Sequence, residues 1–327
     1  MSAATQSLPQ RLRRVRIPII WWLLLVTFLT AWLLVTLYGR GDFVAPSNLN
    51  NIVERATALG IVAVGQTFAI LVGSLDLSVA YLISVTAVMA SYIMQGDPSR
   101  VPLAIAVVAG IGVVVGLVNG LLVTKLRINP LIATLGVGLI LRGLLNASFQ
   151  NFAGSVPRSF QYLAYGSIGP VPVPMLLFAV VVAIAAWILM RTRFGAHVYA
   201  VGGDRATARL SGIRSDRIVI GAHVLTSLTA VITGLYLVSR LSSGAPWIGP
   251  DGVYDLESIA AVVVGGTVLA GGRGGVLGTV AGVLIFATLD TMFNQLGVDS
   301  YLKQVLRGLI IIGAVAVYAY RSKEVVG

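Results

Sequence analysis

Apolar runs long enough to cross a lipid bilayer recur along this chain, at about residues 17–38, 55–73, 77–95, 102–124, 131–149, 173–190, 218–240, 256–269, 276–293 and 303–320. A hydrocarbon core about 30 Å thick takes roughly 20 helical residues to span, and within it a helix is the simplest chain that pairs all its own backbone groups. The runs therefore predict an all-α integral membrane protein with about ten transmembrane helices. Composition agrees, since 57% of residues are hydrophobic and 11% charged, far from the balance of a soluble domain. The expected organisation is one transmembrane domain over residues 17–320, with tails at 1–16 and 321–327. The first run follows Arg11, Arg13, Arg14 and Arg16. At about 20 residues it exceeds the h-region of a signal peptide, and no small-residue cleavage site follows, so it is read as a retained helix.

A formal charge of +11 raises the question of nucleic acid. The charges are scattered between apolar runs rather than gathered on one face or interleaved with aromatics, which argues against a nucleic-acid partner and leaves membrane lipid. Their distribution instead orients the chain. With the N-terminus inside and ten crossings, 15 of the 23 Lys and Arg fall on the inner side and seven outside, with Arg142 within a span. Eight of the 12 acids fall outside. This bias predicts that both termini are cytoplasmic. The chain has no cysteine, and its two histidines, His197 and His223, lie on different segments; they are read as one loop and one helix-end residue, with no metal site.

Two connections exceed turn length. Residues 150–173 are rich in Pro and Gly and read either as an exposed lip or as a plain connector. Residues 191–217 carry six arginines. Within them Gly203 can break the chain, Asp204 can cap the next turn, Ala206 to Leu210 favour helix, and Gly212 can end it. The result is a short amphipathic helix, suited either to docking in another protein's groove or only to fixing topology. Glycine interruptions at Gly73 and at Gly271–Gly275 mark broken helices, where irregular backbone lines a cavity or a buried turn.

Several chemistries are missing. None of the three lysines, Lys125, Lys303 and Lys323, lies in a G-x-x-x-x-G-K-[ST] phosphate loop, so the chain is not itself a P-loop ATPase. No catalytic residue set emerges: there is no histidine-containing triad pattern, no H-E-x-x-H and no pair of carboxylates in one span. Ion-coupled carriers keep several ionisable groups at mid-membrane; here Asp76, Arg142 and Asp290 make a thin inventory. What remains is a conduit energised from elsewhere.

Residues 43–321 resemble the sugar permeases of bacterial ABC importers, of the ribose, xylose and arabinose type. The resemblance rests on Phe43-Val-Ala-Pro-Ser-Asn-Leu49, Val72-Gly-Ser-Leu-Asp-Leu-Ser-Val79, Asn119-Gly120, Asn129-Pro-Leu-Ile-Ala-Thr-Leu-Gly136, Tyr199-Ala-Val-Gly-Gly-Asp204, Leu210-Ser-Gly-Ile213, Tyr254 through Thr267, Gly271-Gly-Arg-Gly-Gly275 and Gly278-Thr279. It implies a ten-helix importer fold similar to that of cobalamin permeases. It also implies two permease subunits, identical or related, two ATPase subunits that bind ATP and Mg, and an external sugar-binding protein. No cofactor is expected in this chain. By the same resemblance the stretch Gly203, Asp204, Arg205, Arg209, Leu210, Ser211 and Gly212 is the coupling element that docks into the ATPase, with Arg205 and Arg209 as polar contacts and Leu210 as the apolar one. The chain departs from the family pattern at Ser74, Leu75, Ala80, Leu131, Asp204 and Asp290.

Asp76, alone in an apolar run, is too costly to leave ionised at mid-membrane. It reads either as a cap on the helix beginning at Leu77 or as a contact for a passing sugar. Ser78, Ser84, Asn119, Thr134, Asn146 and Thr267 are the other candidates for a substrate path, since a sugar path needs groups that exchange hydrogen bonds easily. An ion-coupled secondary carrier and a branched-chain amino-acid ABC permease remain the alternatives.

Overall fold

The computed structural model describes residues 19–39 and 41–324. The basic tail expected at 1–16, residues 17 and 18 of the first run, and residues 325–327 lie outside the described residues. Long apolar stretches broken by Pro, Gly and Asx–Ser turns become helices α1 (Ile19–Tyr38), α2 (Pro46–Leu71), α3 (Val79–Met94), α4 (Val101–Thr124) and α5 (Pro130–Ser148). A short connection follows, with α6 (Arg158–Tyr165), β1 (Ser167–Ile168) and β2 (Val171–Pro172), and then α7 (Val173–Arg191), α8 (Arg193–Gly203) and α9 (Arg205–Leu210). The chain continues through α10 (Ser215–Leu241), α11 (Ile248–Asp251), α12 (Tyr254–Val264), α13 (Val276–Gln295) and α14 (Ser300–Glu324). Proline opens α2, α4, α5 and α7 within their first two positions, where the missing N–H costs nothing.

Each of the ten apolar runs overlaps a helix, although the run at 256–269 is helical only to Val264. Among the described residues, seven helices are long and apolar enough to cross a membrane: α1, α2, α4, α5, α7, α10 and α13. By contrast α12, with 11 residues, reaches only about 16 Å. It continues as irregular backbone through residues 265–275 until α13 begins at Val276.

Burial sorts the helices. Most of α2 and α10 is enclosed, whereas α1, α4, α5 and α7 turn large apolar side chains such as Trp22, Val114, Ile140 and Trp187 outward. Lipid tails are as apolar as these side chains, so close helix packing depends on small residues that let backbones approach. Gly112, Gly116 and Gly120, one helical turn apart on α4, form such a seam. A Cβ on them would lie 2.6 Å from Val231, 2.5 Å from Val224 and 2.7 Å from Ile220 of α10. The seam draws α4 against α10 and brings Asn119 and His223 into one buried layer.

The connection over residues 150–173 is more ordered than a plain connector. Besides α6 and the β1–β2 hairpin, it is stitched to the end of α10 by an Ala153–Gly244 bridge and by the Val156 N–H donating to Ser242 O at 3.0 Å. The segment over 191–217 holds two helices rather than one. Thr192 caps α8 through the Gly195 N–H at 3.2 Å, and Asp204 caps α9 through the Thr207 N–H at 2.5 Å. His197 lies on α8 rather than in a loop, because the 191–217 connection holds a helix ahead of α9, and His223 lies inside α10 rather than at its end, because α10 begins at Ser215, ahead of the apolar run that starts at 218.

Candidate functional site

Between α2 and α3 the chain leaves helical geometry for seven residues, 72–78, and buried backbone there must find partners elsewhere. Asp76 is the centre of that accounting and is fully buried. Its Oδ1 accepts the Ser78 N–H at 3.0 Å and the Ser78 hydroxyl at 2.5 Å. Asn119 Nδ2 of α4 donates to both carboxylate oxygens, at 3.3 and 3.2 Å. His223 Nδ1 of α10 lies 3.3 Å from Oδ2, and a proton on Nδ1 is the one that makes this contact favourable. His223 Nε2 then faces Ser74 Oγ at 2.9 Å. Thr134 Oγ1 of α5 accepts the Leu77 N–H at 3.1 Å.

The helix expected from Leu77 begins only at Val79, so Asp76 serves the Ser78 N–H of the turn ahead of α3. Its carboxylate joins α3, α4 and α10 at one point. Ser74, His223 and Asp76 stand in the order of a hydrolytic triad, yet the neighbouring Gly73 and Ser74 N–H groups donate to Ile70 O and Ala69 O, each at 2.9 Å. With those donors occupied and Ser74 buried, no oxyanion hole forms beside its hydroxyl. These hydrogen bonds fix the backbone of the turn ahead of α3.

The same segment receives the loop 265–275 and the end of α8. Gly272 N–H donates to Leu71 O at 3.0 Å. Gly202 packs so closely there that a Cβ would lie 1.7 Å from Leu71 O and 2.5 Å from Gly272 N. Gly271, at φ +94°, occupies a backbone region that an L side chain would strain. Thr267 is buried inside this loop, where its Oγ1 accepts the Gly275 N–H at 3.2 Å.

Of the seven path candidates, the structure brings together Asp76, Ser78, Asn119 and Thr134, sets Thr267 across the neighbouring loop, and leaves Asn146 exposed on the far half of α5. Ser84 is spent on the Gly249 N–H at 3.0 Å.

Next to this node lies the α9 turn. Gly203 ends α8, and Gly212, at φ +82°, turns the chain after α9, with Ser211 Oγ donating to Thr207 O at 3.0 Å. The Thr207 hydroxyl and N–H hold the Asp204 carboxyl below its ordinary range. Leu210 is 90% exposed. Arg205 and Arg209 reach Asp216, at 3.0 and 2.6 Å, and Lys125 of α4 reaches the same carboxylate at 3.0 Å. Asp216 thus anchors α9 to α4 and α10. In the sequence it stands as one acid among arginines with no spacing that marks it.

A second polar cluster sits at the opposite end of the bundle, around a cavity of about 280 Å³. Arg307 of α14 pairs with Glu257 of α12 at 3.1 Å and with Asp290 of α13 at 2.5 Å. Arg55 of α2 also pairs with Asp290, and Arg240 of α10 meets Glu54 at 3.3 Å. Five helices are tied by six charges of balanced sign. Arg307→Ala leaves Glu257 without a partner and Asp290 with Arg55 alone, and is expected to cost about 2–4 kcal/mol, somewhat below the buried-pair range because the guanidinium keeps some exposure. The thermal unfolding midpoint in detergent measures it, and an unchanged midpoint would show the pairs to be idle.

A family model described as "Branched-chain amino acid transport system / permease component" matches residues 48–315. The chain belongs to that permease family. The matched residues run from α2 into α14 and contain the whole Asp76 node and the α9 turn, while α1 lies outside them. Among curated relatives, the ribose import permease protein RbsC of Escherichia coli (strain K12) is 37% identical over 285 residues, covering 84% of this chain and 87% of that protein. RbsC of Bacillus subtilis (strain 168) is 38% identical over 295 residues, 88% of this chain and 90% of that one. The galactose/methyl galactoside import permease protein MglC of Escherichia coli (strain K12) is 31% identical over 304 residues, 87% of this chain and 90% of that one. No solved structure matches the chain.

Proposed function

We propose that this member of the permease family is the membrane subunit of an ABC importer that conducts a monosaccharide or related polyol into the cytoplasm. The observation that carries the reading is the identity, over most of the chain, to permeases named for ribose and galactose import. It favours a sugar over a branched-chain amino acid, although the family description carries the latter name. The thin inventory of charges within the spans weighs against an ion-coupled carrier.

In this reading the chain crosses the inner membrane ten times with both termini cytoplasmic, in a fold like that of cobalamin permeases. The positive bias of the loops supports the orientation. Two such permeases, identical or related, pair with two ATPase subunits, which hold ATP and Mg, and with an external sugar-binding protein. This chain supplies no catalytic group. The α9 turn is its ATPase contact, with exposed Leu210 as the apolar anchor. Arg205 and Arg209 contribute from a position shared with Asp216. Sugar passes by exchanging hydrogen bonds with small polar groups; Asn146 is exposed for this, whereas the Asp76 node and Thr267 are buried and serve the path only where a rearrangement uncovers them.

Purification of the tagged chain from its native membrane in mild detergent tests this. An ATP-binding subunit at about one per permease, at least about tenfold depleted when Arg205, Arg209 and Leu210 are all replaced by Ala, is the expected result. A chain that comes out alone and moves solute in liposomes without ATP would instead establish the secondary-carrier reading.

A further inference from the structure

A cavity of about 430 Å³ opens at the α9 end of the bundle, lined by Ser74, Thr124, Arg127, Asn129, Arg205 and Arg209 among others. Among the described residues no carboxylate lines it. Asp216, the acid that pairs with the lining arginines, already serves Lys125, Arg205 and Arg209, so one carboxylate faces three cations before Arg127 is counted. Arg127 has no carboxylate within ion-pair reach among the described residues. It is also held at φ +55°, a left-handed conformation that a non-glycine residue adopts at a cost and that clusters at ligand sites. Independently, the Nε of Arg205 is buried with no hydrogen-bond partner, which leaves a desolvated donor unmet. The Asn129 side chain is spent on the Leu131 N–H at 2.9 Å, so the open donors of the cavity are guanidinium groups.

We propose that this cavity binds a phosphate-bearing anion, with Arg127 and Arg205 as its principal donors. Guanidinium forks match phosphate oxygens bidentately, and several forks lining one cavity with no carboxylate among them favour a group of more than one negative oxygen over a single carboxylate. Two sources supply that chemistry. One is the headgroup of an anionic phospholipid, whose acyl chains would lie along the exposed Leu126, Leu131 and Ile132 beside the cavity; basic pockets between membrane helices take headgroups in this way. The other is a soluble phosphate or phosphate ester. The proposal stands apart from the transport reading, since it needs only the cavity and its charges.

The full-length chain, purified and stripped of lipid in detergent, is titrated with dioleoyl phosphatidylglycerol or dioleoyl phosphatidylcholine and followed by native mass spectrometry. One phosphatidylglycerol adduct per chain is expected, bound about tenfold more tightly than phosphatidylcholine. Arg127→Gln should weaken it about tenfold, Arg127→Lys should recover part of the loss, and Arg193→Gln, at an exposed position on α8, should leave it unchanged. Matched unfolding midpoints establish that the variants are folded. Inorganic phosphate at about 10 mM distinguishes the sources: displacement of the adduct identifies the phosphate group alone as the ligand, and persistence identifies the lipid headgroup with its chains. Equal binding of the two lipids with no stabilisation by phosphate, or identical binding by Arg127→Gln, overturns the proposal. So does an Arg127→Gln chain that keeps its anion affinity but no longer retains an ATP-binding subunit, because the cavity is then a protein contact.

Discussion

Replacing Asp76 by alanine is expected to lower the stability of the folded chain by about 3–5 kcal/mol, because it strands buried donors on three helices at once. The Ser78 N–H, Asn119 Nδ2 and His223 Nδ1 all turn to that carboxylate, and none has access to water. Asp76→Asn is the informative partner. Its Oδ1 can still accept the Ser78 N–H, and a neutral His223 can change tautomer to accept from the new amide. The amide variant should therefore remain within about 1–2 kcal/mol of the wild type. Reversible unfolding in mixed micelles measures both. If Asp76→Asn folds normally but abolishes uptake by the assembled transporter, the charge itself acts on the passing substrate, and the purely architectural role is wrong.

The second large effect is expected at Gly202. Any side chain there meets Leu71 O and the backbone of the 265–275 loop, so α8 has to move off its seat and carry α9 with it. Gly203, the next residue, has nothing within 4 Å of its would-be Cβ. Gly202→Ala should reduce ATP-driven uptake at least about tenfold, while Gly203→Ala leaves it within about twofold, although both changes remove one glycine from the same turn. Hydrogen exchange over residues 193–213 should rise in the first variant only. Equal behaviour of the two would mean that the close approach at Gly202 has no part in positioning α9.

The two variants also separate what could be read along the chain from what could not. The long helices are legible in the sequence because bilayer thickness imposes a minimum length on a crossing, and the α9 turn is legible because caps and glycine stops act within a few residues. Asp76 stood out for its isolation, and Asn119 and Thr134 were named as neighbours in a path without any sign that both would converge on residues 75–78. In the sequence His223 reads only as a helix-end residue. Its importance comes from a carboxylate 147 positions away, and no local pattern encodes that distance. Asp216 and Arg307 were likewise unmarked, although each gathers charges from separate helices.

The sequence by itself determined that the chain lives in a membrane, where its long apolar helices lie and which family it joins, because these follow from local hydrophobicity, local caps and the order of short motifs. Only the tertiary structure decided which polar groups meet. The Gly112, Gly116 and Gly120 seam sets how near α4 comes to α10, and that approach fixes Asn119 and His223 around Asp76. In a low-dielectric interior a polar side chain acquires its role from the partner that satisfies it, and partners are chosen by packing rather than by sequence distance.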